Sequence, residues 1–241
     1  MQINTGKWSR KEVDAIIHKA SEINDPGDRI AFLSGQFLGI DYKESTLTGS
    51  PQTPEVFVIN FQGVDCFTYI DYIEAMRLSG SFSEFKENLK KVRYRGGNVA
   101  FENRNHFFTD WSEFNSGYID DVTDKIGKHK TKRIMKMLNR KDDGTYFIPG
   151  IKPKQREIRY IQADIIDDSV FNGLRSGDYA GVYSEINGLD VSHVGIIIRD
   201  IDMVYLRHAS RNERKIIDQD FGNYISGKPG LIVLRPRKLL N

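Results

Sequence analysis

Hydrophobic residues follow helical spacing early in this chain and strand-like alternation in its last third, and this order constrains the fold most. The spacing predicts four helices, over 9–23, 28–38, 66–78 and 82–92. The alternation predicts four strands, over 179–183, 194–198, 203–209 and 231–234. Because helices and strands do not alternate as they do around a parallel sheet, we expect an α+β fold with an antiparallel sheet.

Local signals refine the boundaries of these elements. Ser9 and Glu12 have the spacing of a capping box, which predicts that a helix begins there. The second helix is expected to end at Gly39, because glycine commonly follows the last helical residue. Residues 41–54 are rich in Thr, Ser, Gly and Pro and are predicted to be loop, and 56–61 is predicted to be a strand.

Size and composition exclude several classes of protein. A chain of 241 residues can bury a core as one domain, or as one domain with an insertion. Its net charge of +2 gives no reason to expect a nucleic-acid partner, and no apolar run reaches the roughly 18 residues that span a bilayer. Residues 1–10 lack the apolar segment of a signal peptide, so the protein is either cytosolic or begins after a removed leader.

The chain contains one cysteine, Cys66, which excludes an internal disulfide and a cysteine-based zinc site. It follows Asp65 at the predicted start of a helix, where the helix dipole and free backbone N–H groups favour the reactive thiolate. Cys66 also shares a helix stripe with Ile70 and Ile73, as a small buried hydrophobic residue would. The position alone leaves a nucleophile and a core residue as alternatives.

His193 opens an apolar strand and is the best candidate for a catalytic base. It shares one face of that strand with Gly195, whereas Val194 and Ile196 point to the other face. A glycine beside the histidine leaves space for a thiol and a substrate. A structural histidine at a strand end is the alternative.

His208 lies on the next predicted strand, after a turn over 199–202. If that turn centres on Asp200 and Ile201, the two histidines lie directly opposite each other, with Cβ atoms about 5 Å apart. His208 would then fix the tautomer of His193, as the third group does in catalytic triads. A metal site is disfavoured because no Asp or Glu shares that face.

These motifs resemble those of the NlpC-type cysteine peptidases, which are papain-like cell-wall hydrolases. The resemblance is carried by Asp65-Cys66 opening a helix, by Ser192-His193-Val194-Gly195-Ile196 opening a strand, and by a polar residue on the next strand. It implies a papain-like antiparallel sheet packed on an N-terminal helical part that carries the nucleophile. Phe67 differs from the small residue that usually follows the cysteine.

The sequence is more similar to one branch of that superfamily, the N-acetylmuramoyl-L-alanine amidase-like proteins. Segments 37–39, 65–69 and 104–111, together with His193, carry this likeness. The cysteine and histidine lie farther apart than in simpler members, so we expect a single domain over 1–241 with an insertion over 80–164.

The resemblance implies hydrolysis of an amide bond in bacterial peptidoglycan through a thioester, with Cys66, His193 and His208 as catalytic residues and no metal or cofactor. Two bonds remain as alternatives: the lactyl–L-alanine amide, and the γ-D-glutamyl bond to the diamino acid. A monomer in the periplasm or outside the cell is expected, with a cytoplasmic location left open. A non-catalytic binder of an anionic wall polymer is the alternative from another class.

Further residues are expected to bind the oxyanion or the substrate. The resemblance implies that the Tyr42 hydroxyl is an oxyanion donor together with the Cys66 backbone N–H, with Asp65 and Ser192 nearby. A polar and aromatic group in the middle of the chain is predicted either to line the cleft or to form an internal polar network; it comprises Arg104, His106, Asp110 and Trp111. The basic run over 125–141 is expected to be a solvated helix face or a surface for an anionic polymer.

Overall fold

The computed structural model describes residues 1–201 and 203–238. Within these ranges it contains eight α-helices: α1 Arg10–Ser21, α2 Pro26–Gly35, α3 Cys66–Arg77, α4 Phe82–Arg93, α5 Phe108–Phe114, α6 Thr123–Gly127, α7 Asp168–Gly173 and α8 Phe221–Ile225. The strands in the same ranges are β1 Gln2–Asn4, β2 Asp41–Tyr42, β3 Thr48–Ser50, β4 Thr53–Val56, β5 Val58–Asn60, β6 Gly63–Val64, β7 Ile119–Asp121, β8 Thr131–Leu138, β9 Lys154–Gln162, β10 Tyr179–Tyr183, β11 Val191–Arg199, β12 Val204–Ser210, β13 Lys215–Asp220 and β14 Gly230–Pro236.

One large sheet organises the molecule. Its strand order is β6-β2-β13-β12-β11-β10-β14-β9-β8, with β7 also paired to β14. Within the described ranges its pairs are antiparallel except for β2 and β6. The predicted combination of early helices with a late, largely antiparallel sheet is therefore confirmed.

Both faces of this sheet are covered. Val194 and Ile196 of β11 join a core shared with α1 to α4, whereas Ile197 packs into a second core with Val170 of α7 and Phe221 of α8. This alternation follows from the two-residue period of a strand. It places His193 on the face opposite Val194, as the sequence predicted.

Helix α3 is buried over its whole length after the first two residues. Its charged side chains are paired internally: Asp71 with Arg93 at 2.8 Å, and Glu74 with Arg77 at 2.6 Å. Because buried charges are tolerated when they are paired, the helix can be enclosed by the fold. Cys66 therefore lies at the end of a firmly packed element.

The helix starts were predicted well. Ser9 caps α1 in the expected capping box with Glu12. Helix α2 begins at Pro26, two residues before the predicted start, and the chain turns at Gly39 with φ of +80°.

The strand boundaries contain several errors. Segment 41–54 is not only loop, since it contains β2, β3 and the start of β4, and the predicted strand 56–61 is divided at Phe57. The basic run 125–141 is mainly β8 and not a helix face. Because β8 is an edge strand with most side chains exposed, its sequence lacks the apolar alternation of a half-buried strand. Among the described helices, none has the length and apolar character needed to span a bilayer.

Candidate active site

Cys66 is the first residue of α3, and the chain reaches it from the short strand β6. Asp65 caps this helix: its Oδ1 accepts hydrogen bonds from the N–H groups of Phe67 at 3.1 Å and Thr68 at 2.7 Å. The Thr68 hydroxyl donates to the same oxygen at 2.8 Å. These contacts give Asp65 a capping role, and its expected part in substrate binding stays a prediction.

The Cys66 thiol is half-buried and packs against the core shared with α1 to α4. Burial and the Asp65 carboxylate raise the pKa of this thiol to about 12, although the N–H groups of Val194, Cys66 and Phe67 act in the opposite direction. The free site therefore holds a neutral thiol, in contrast to the thiolate predicted from the helix terminus alone. Desolvation outweighs the helix dipole here.

The two late histidines form a pair, as expected. His193 Nε2 lies 2.8 Å from His208 Nδ1, and the ring planes are perpendicular. The predicted register was wrong by two residues, because Ile196 pairs with Arg207 and Arg199 with Val204. A shift of two keeps each side chain on its face, so the histidines meet diagonally.

The turn between these strands explains the shift. Asp200 and Met203 exchange backbone hydrogen bonds, so β12 begins at Val204. The predicted turn included Asp202, which lies outside the described residues. Continuing the observed register places His208 opposite Gly195.

Gly195 allows the close approach of the two strands on this face. A Cβ at residue 195 would lie 3.0 Å from the His208 Cβ and 2.8 Å from a methyl carbon of Leu206. The space that the glycine leaves is therefore filled by His208. The structure thus differs from the prediction that Gly195 leaves open space for a substrate.

Gln219 of β13 extends the histidine pair and fixes its protons. His208 Nε2 lies 3.3 Å from the Gln219 amide oxygen, and because this oxygen can only accept, the contact favours the His208 tautomer that carries the hydrogen on Nε2. His208 Nδ1 must then accept, and His193 Nε2 must donate to it. Nδ1 of His193 is left without a proton, which is the state that a general base requires.

Burial lowers the pKa of His193 to about 3, and the neighbouring His208 and Lys228 act in the same direction. Burial also lowers the pKa of His208, which is 3% exposed. Both rings are therefore neutral at physiological pH. In the described residues, no third His, Cys, Asp or Glu joins them in a metal-binding arrangement.

A cleft of about 440 Å³ opens beside these rings. Its lining includes His193, His208 and the Tyr224 ring, whose centroid is 5.1 Å from that of His208. Among the described residues, the lining does not include Cys66. Burial raises the pKa of the Tyr224 hydroxyl to about 12, and the charge of Cys66 acts in the same direction.

Tyr42 and Ser192 lie at the edges of this region. Tyr42 pairs with Val64 across β2 and β6, and its hydroxyl donates to Glu44 at 3.2 Å. Burial raises the pKa of Tyr42 to about 12, with smaller contributions from Glu44 and Cys66. Ser192 is exposed and lines the cleft.

The four middle residues belong to a different part of the molecule. Arg104 pairs with Glu55 at 2.5 Å, His106 Nε2 contacts the Phe101 carbonyl at 2.8 Å, Asp110 pairs with Arg156, and the fully buried Trp111 donates to Asp71 at 3.0 Å. Within the described part of the chain, none of the four lines the histidine cleft. Their contacts match the internal polar network and not the cleft lining.

Sequence reasoning missed three residues of this site: Gln219, Tyr224 and Lys228. Gln219 lies on β13, which was not predicted as a strand. Tyr224 belongs to the five-residue helix α8, which is too short to show a period. The adjacent apolar residues Ile216 and Ile217 were a weak local signal for β13.

The sequence and the fold both have relatives. A crystal structure of a protein from Legionella pneumophila shares 21% identity over 94% of each chain, with a TM-score of 0.80. An N-acetylmuramoyl-L-alanine amidase from Bacteroides uniformis shares 25% identity over 88% of this chain and 99% of its own, with a TM-score of 0.74. A candidate xylanase from Bacteroides fragilis shares 25% identity over 84% of this chain and 98% of its own, with a TM-score of 0.68.

The names of these structures differ, so the fold alone does not give the chemistry. No curated protein sequence matches the chain. The family model described as N-acetylmuramoyl-L-alanine amidase-like matches residues 32–231, which is most of the sequence. The chain therefore belongs to the N-acetylmuramoyl-L-alanine amidase-like family.

Proposed function

We propose that this protein is a cysteine hydrolase of bacterial peptidoglycan that cleaves the amide between the lactyl group of N-acetylmuramic acid and L-alanine. Membership of the amidase-like family supports the substrate class. The observation that carries the chemistry is the hydrogen-bond relay from His193 through His208 to Gln219. It leaves an unprotonated nitrogen on His193, and Cys66 packs against the core that contains the neighbouring Val194.

The proposed reaction begins with a neutral thiol and a neutral imidazole. As the Cys66 sulfur attacks the carbonyl carbon, His193 Nδ1 takes the thiol proton. The relay to His208 and Gln219 holds the resulting imidazolium in place. His193 then gives that proton to the leaving amine, and a thioester to Cys66 remains.

Water completes the cycle. His193 Nδ1 takes a proton from a water molecule, whose oxygen attacks the thioester carbonyl. The C–S bond breaks, the sulfur regains the proton from His193, and the acid product leaves. Each tetrahedral intermediate needs hydrogen-bond donors, for which the Cys66 backbone N–H and the Tyr42 hydroxyl are the candidates. Tyr42 would have to exchange its bond to Glu44 for the oxyanion.

The proposed enzyme also has an expected superfamily, domain organisation, location and oligomeric state. We assign the fold to the papain-like NlpC superfamily, as one domain over 1–241 in which 80–164 is an insertion. Because peptidoglycan lies outside the cytoplasm, we also propose that the protein acts there, as a monomer.

Digestion of purified peptidoglycan tests this function. Mass spectrometry of the products should reveal a new free amine on L-alanine, and this amine should be absent with Cys66→Ala. Thiol alkylation should stop the reaction, and a chelator should not. A free amine on the diamino acid would instead identify an endopeptidase, and salt-sensitive binding without any product would identify a non-catalytic binder.

A further inference from the structure

The cleft beside the histidines is polar and carries positive charge. Two of its lining residues, Lys228 and Arg211, are cationic, and several others are amides or hydroxyls. Among the described residues that line it, none is acidic. Its volume of about 440 Å³ is in the range of small-ligand sites.

Lys228 lies beside the aromatic ring that adjoins His193 in the cleft. Its ammonium is 5.6 Å from the centroid of the Tyr224 ring, and that centroid is 6.1 Å from the centroid of the His193 ring. Arg211 is 74% exposed and already pairs with Glu44 at 3.0 Å. In the described part of the chain, no carboxylate forms an ion pair with Lys228.

The position of the cleft indicates which part of a substrate it would hold. In acyl transfer the base donates a proton to the leaving amine, so the leaving group lies on the side of the base. Since the cleft is lined by His193 and His208, it lies on that side. The acyl part would lie toward Cys66 and Tyr42.

We propose that Lys228, assisted by Arg211, binds a carboxylate of the leaving peptide and makes the enzyme selective for anionic stem peptides. The identity of the peptide rests on the proposed function. A carboxylate near the second residue of the leaving group would meet both cations and the amide side chains of the cleft. Lys228 is then a specificity-determining residue that acts on binding.

Binding to the Cys66→Ala protein tests this without hydrolysis. The probes are the dipeptide L-alanyl-D-glutamic acid and its uncharged diamide, measured by calorimetry at low salt. We expect the diacid to bind about tenfold more tightly, as a charge-assisted hydrogen bond typically provides. Adding Lys228→Met should reduce this ratio to less than about threefold, and Lys228→Arg should retain most of it.

Lys86→Met is the matched control, because the Lys86 ammonium also lies over an aromatic ring, 6.0 Å from the centroid of Phe82, but outside the cleft. It should keep the tenfold ratio. Equal binding of diacid and diamide, or a ratio that survives Lys228→Met, would overturn the proposal. Absence of peptidoglycan hydrolysis with the ratio intact would overturn the proposed function alone.

Discussion

Two polar clusters of this protein each contain histidine and aromatic rings, and they differ in where their hydrogen bonds end. In the middle cluster, the Trp111 indole donates a hydrogen bond to Asp71 and Arg104 forms an ion pair with Glu55, and both partners lie inside the fold. In the histidine cluster, the relay from Gln219 through His208 ends at the His193 ring, which lines a cleft. A network whose charged groups pair inside the fold stabilises it, whereas one that reaches a cleft can take part in chemistry.

The largest effect should distinguish His193 of the histidine cluster from His106 of the middle cluster. His193→Ala should lower kcat/KM for a muropeptide by about 10²–10⁴-fold, which is the range of a lost general base. His106→Ala should change activity per folded molecule by less than about threefold, because His106 contacts the backbone carbonyl and the ring of Phe101, away from the histidine cleft. Initial rates with active-site titration measure both, and equal losses would remove the distinction.

Stability should show the reverse pattern. Trp111→Ala should lower the free energy of unfolding by about 3–5 kcal/mol, because it empties a fully buried site and removes one of the two side chains that donate to Asp71. Activity per folded molecule should change little. Urea unfolding together with rates measures both, and a large drop in kcat for the folded variant would place Trp111 in the reaction.

His193 and His106 should both make the stability of the fold sensitive to acid. Burial lowers the pKa of His193 to about 3 and that of His106 to about 4, so the unfolded chain takes up protons first as pH falls below about 6.5. The free energy of unfolding should therefore decrease as the pH falls from about 6.5 toward these two pKa values. Each histidine should contribute up to about 1.4 kcal/mol per pH unit to this decrease. Urea midpoints across this range should fall less steeply for His193→Gln and for His106→Gln than for the wild type.

Replacing Gln219 should have a smaller effect on activity, because Gln219 acts through its hydrogen bond with His208. Gln219→Leu removes the acceptor that fixes the tautomer, and we expect kcat to fall about tenfold. Gln219→Glu keeps the acceptor and adds a charge that favours protonated His208, so it should retain more activity and move the acidic limb of the pH profile to higher pH. A profile that is unchanged in both variants would contradict the relay.

The smallest effect should come from the basic run. Arg133→Ala removes an exposed pair with Asp124 and should change the free energy of unfolding by less than about 0.5 kcal/mol. Affinity for peptidoglycan should change by less than about twofold. Pull-down with insoluble wall material measures this, and a large loss would restore the basic run as a binding surface.

The sequence predicted what depends on neighbouring residues. The capping residues Ser9 and Asp65 mark helix starts through local hydrogen bonds, so α1 and α3 were placed to within two residues. The faces of His193 and His208 depend only on the two-residue period of strands. For that reason their meeting was predicted even though the register was wrong by two.

The remaining features depend on contacts between distant segments. The partner of Trp111 is Asp71, forty residues earlier, and no local pattern links them. Strand β8 was missed because an exposed edge strand has no apolar alternation. The neutral state of Cys66 follows from its burial in the folded protein, which the helix terminus alone does not reveal.

The central claim, that Cys66 forms a thioester which His193 helps to resolve, is tested most directly by trapping the intermediate. The protein is mixed with a purified muropeptide, quenched in acid within a turnover and digested, and the peptide that contains Cys66 is weighed by mass spectrometry. We predict an added mass equal to the acyl part of the substrate on Cys66, and no such adduct in Cys66→Ala, which should also be inactive. Undiminished hydrolysis by Cys66→Ala would contradict the account.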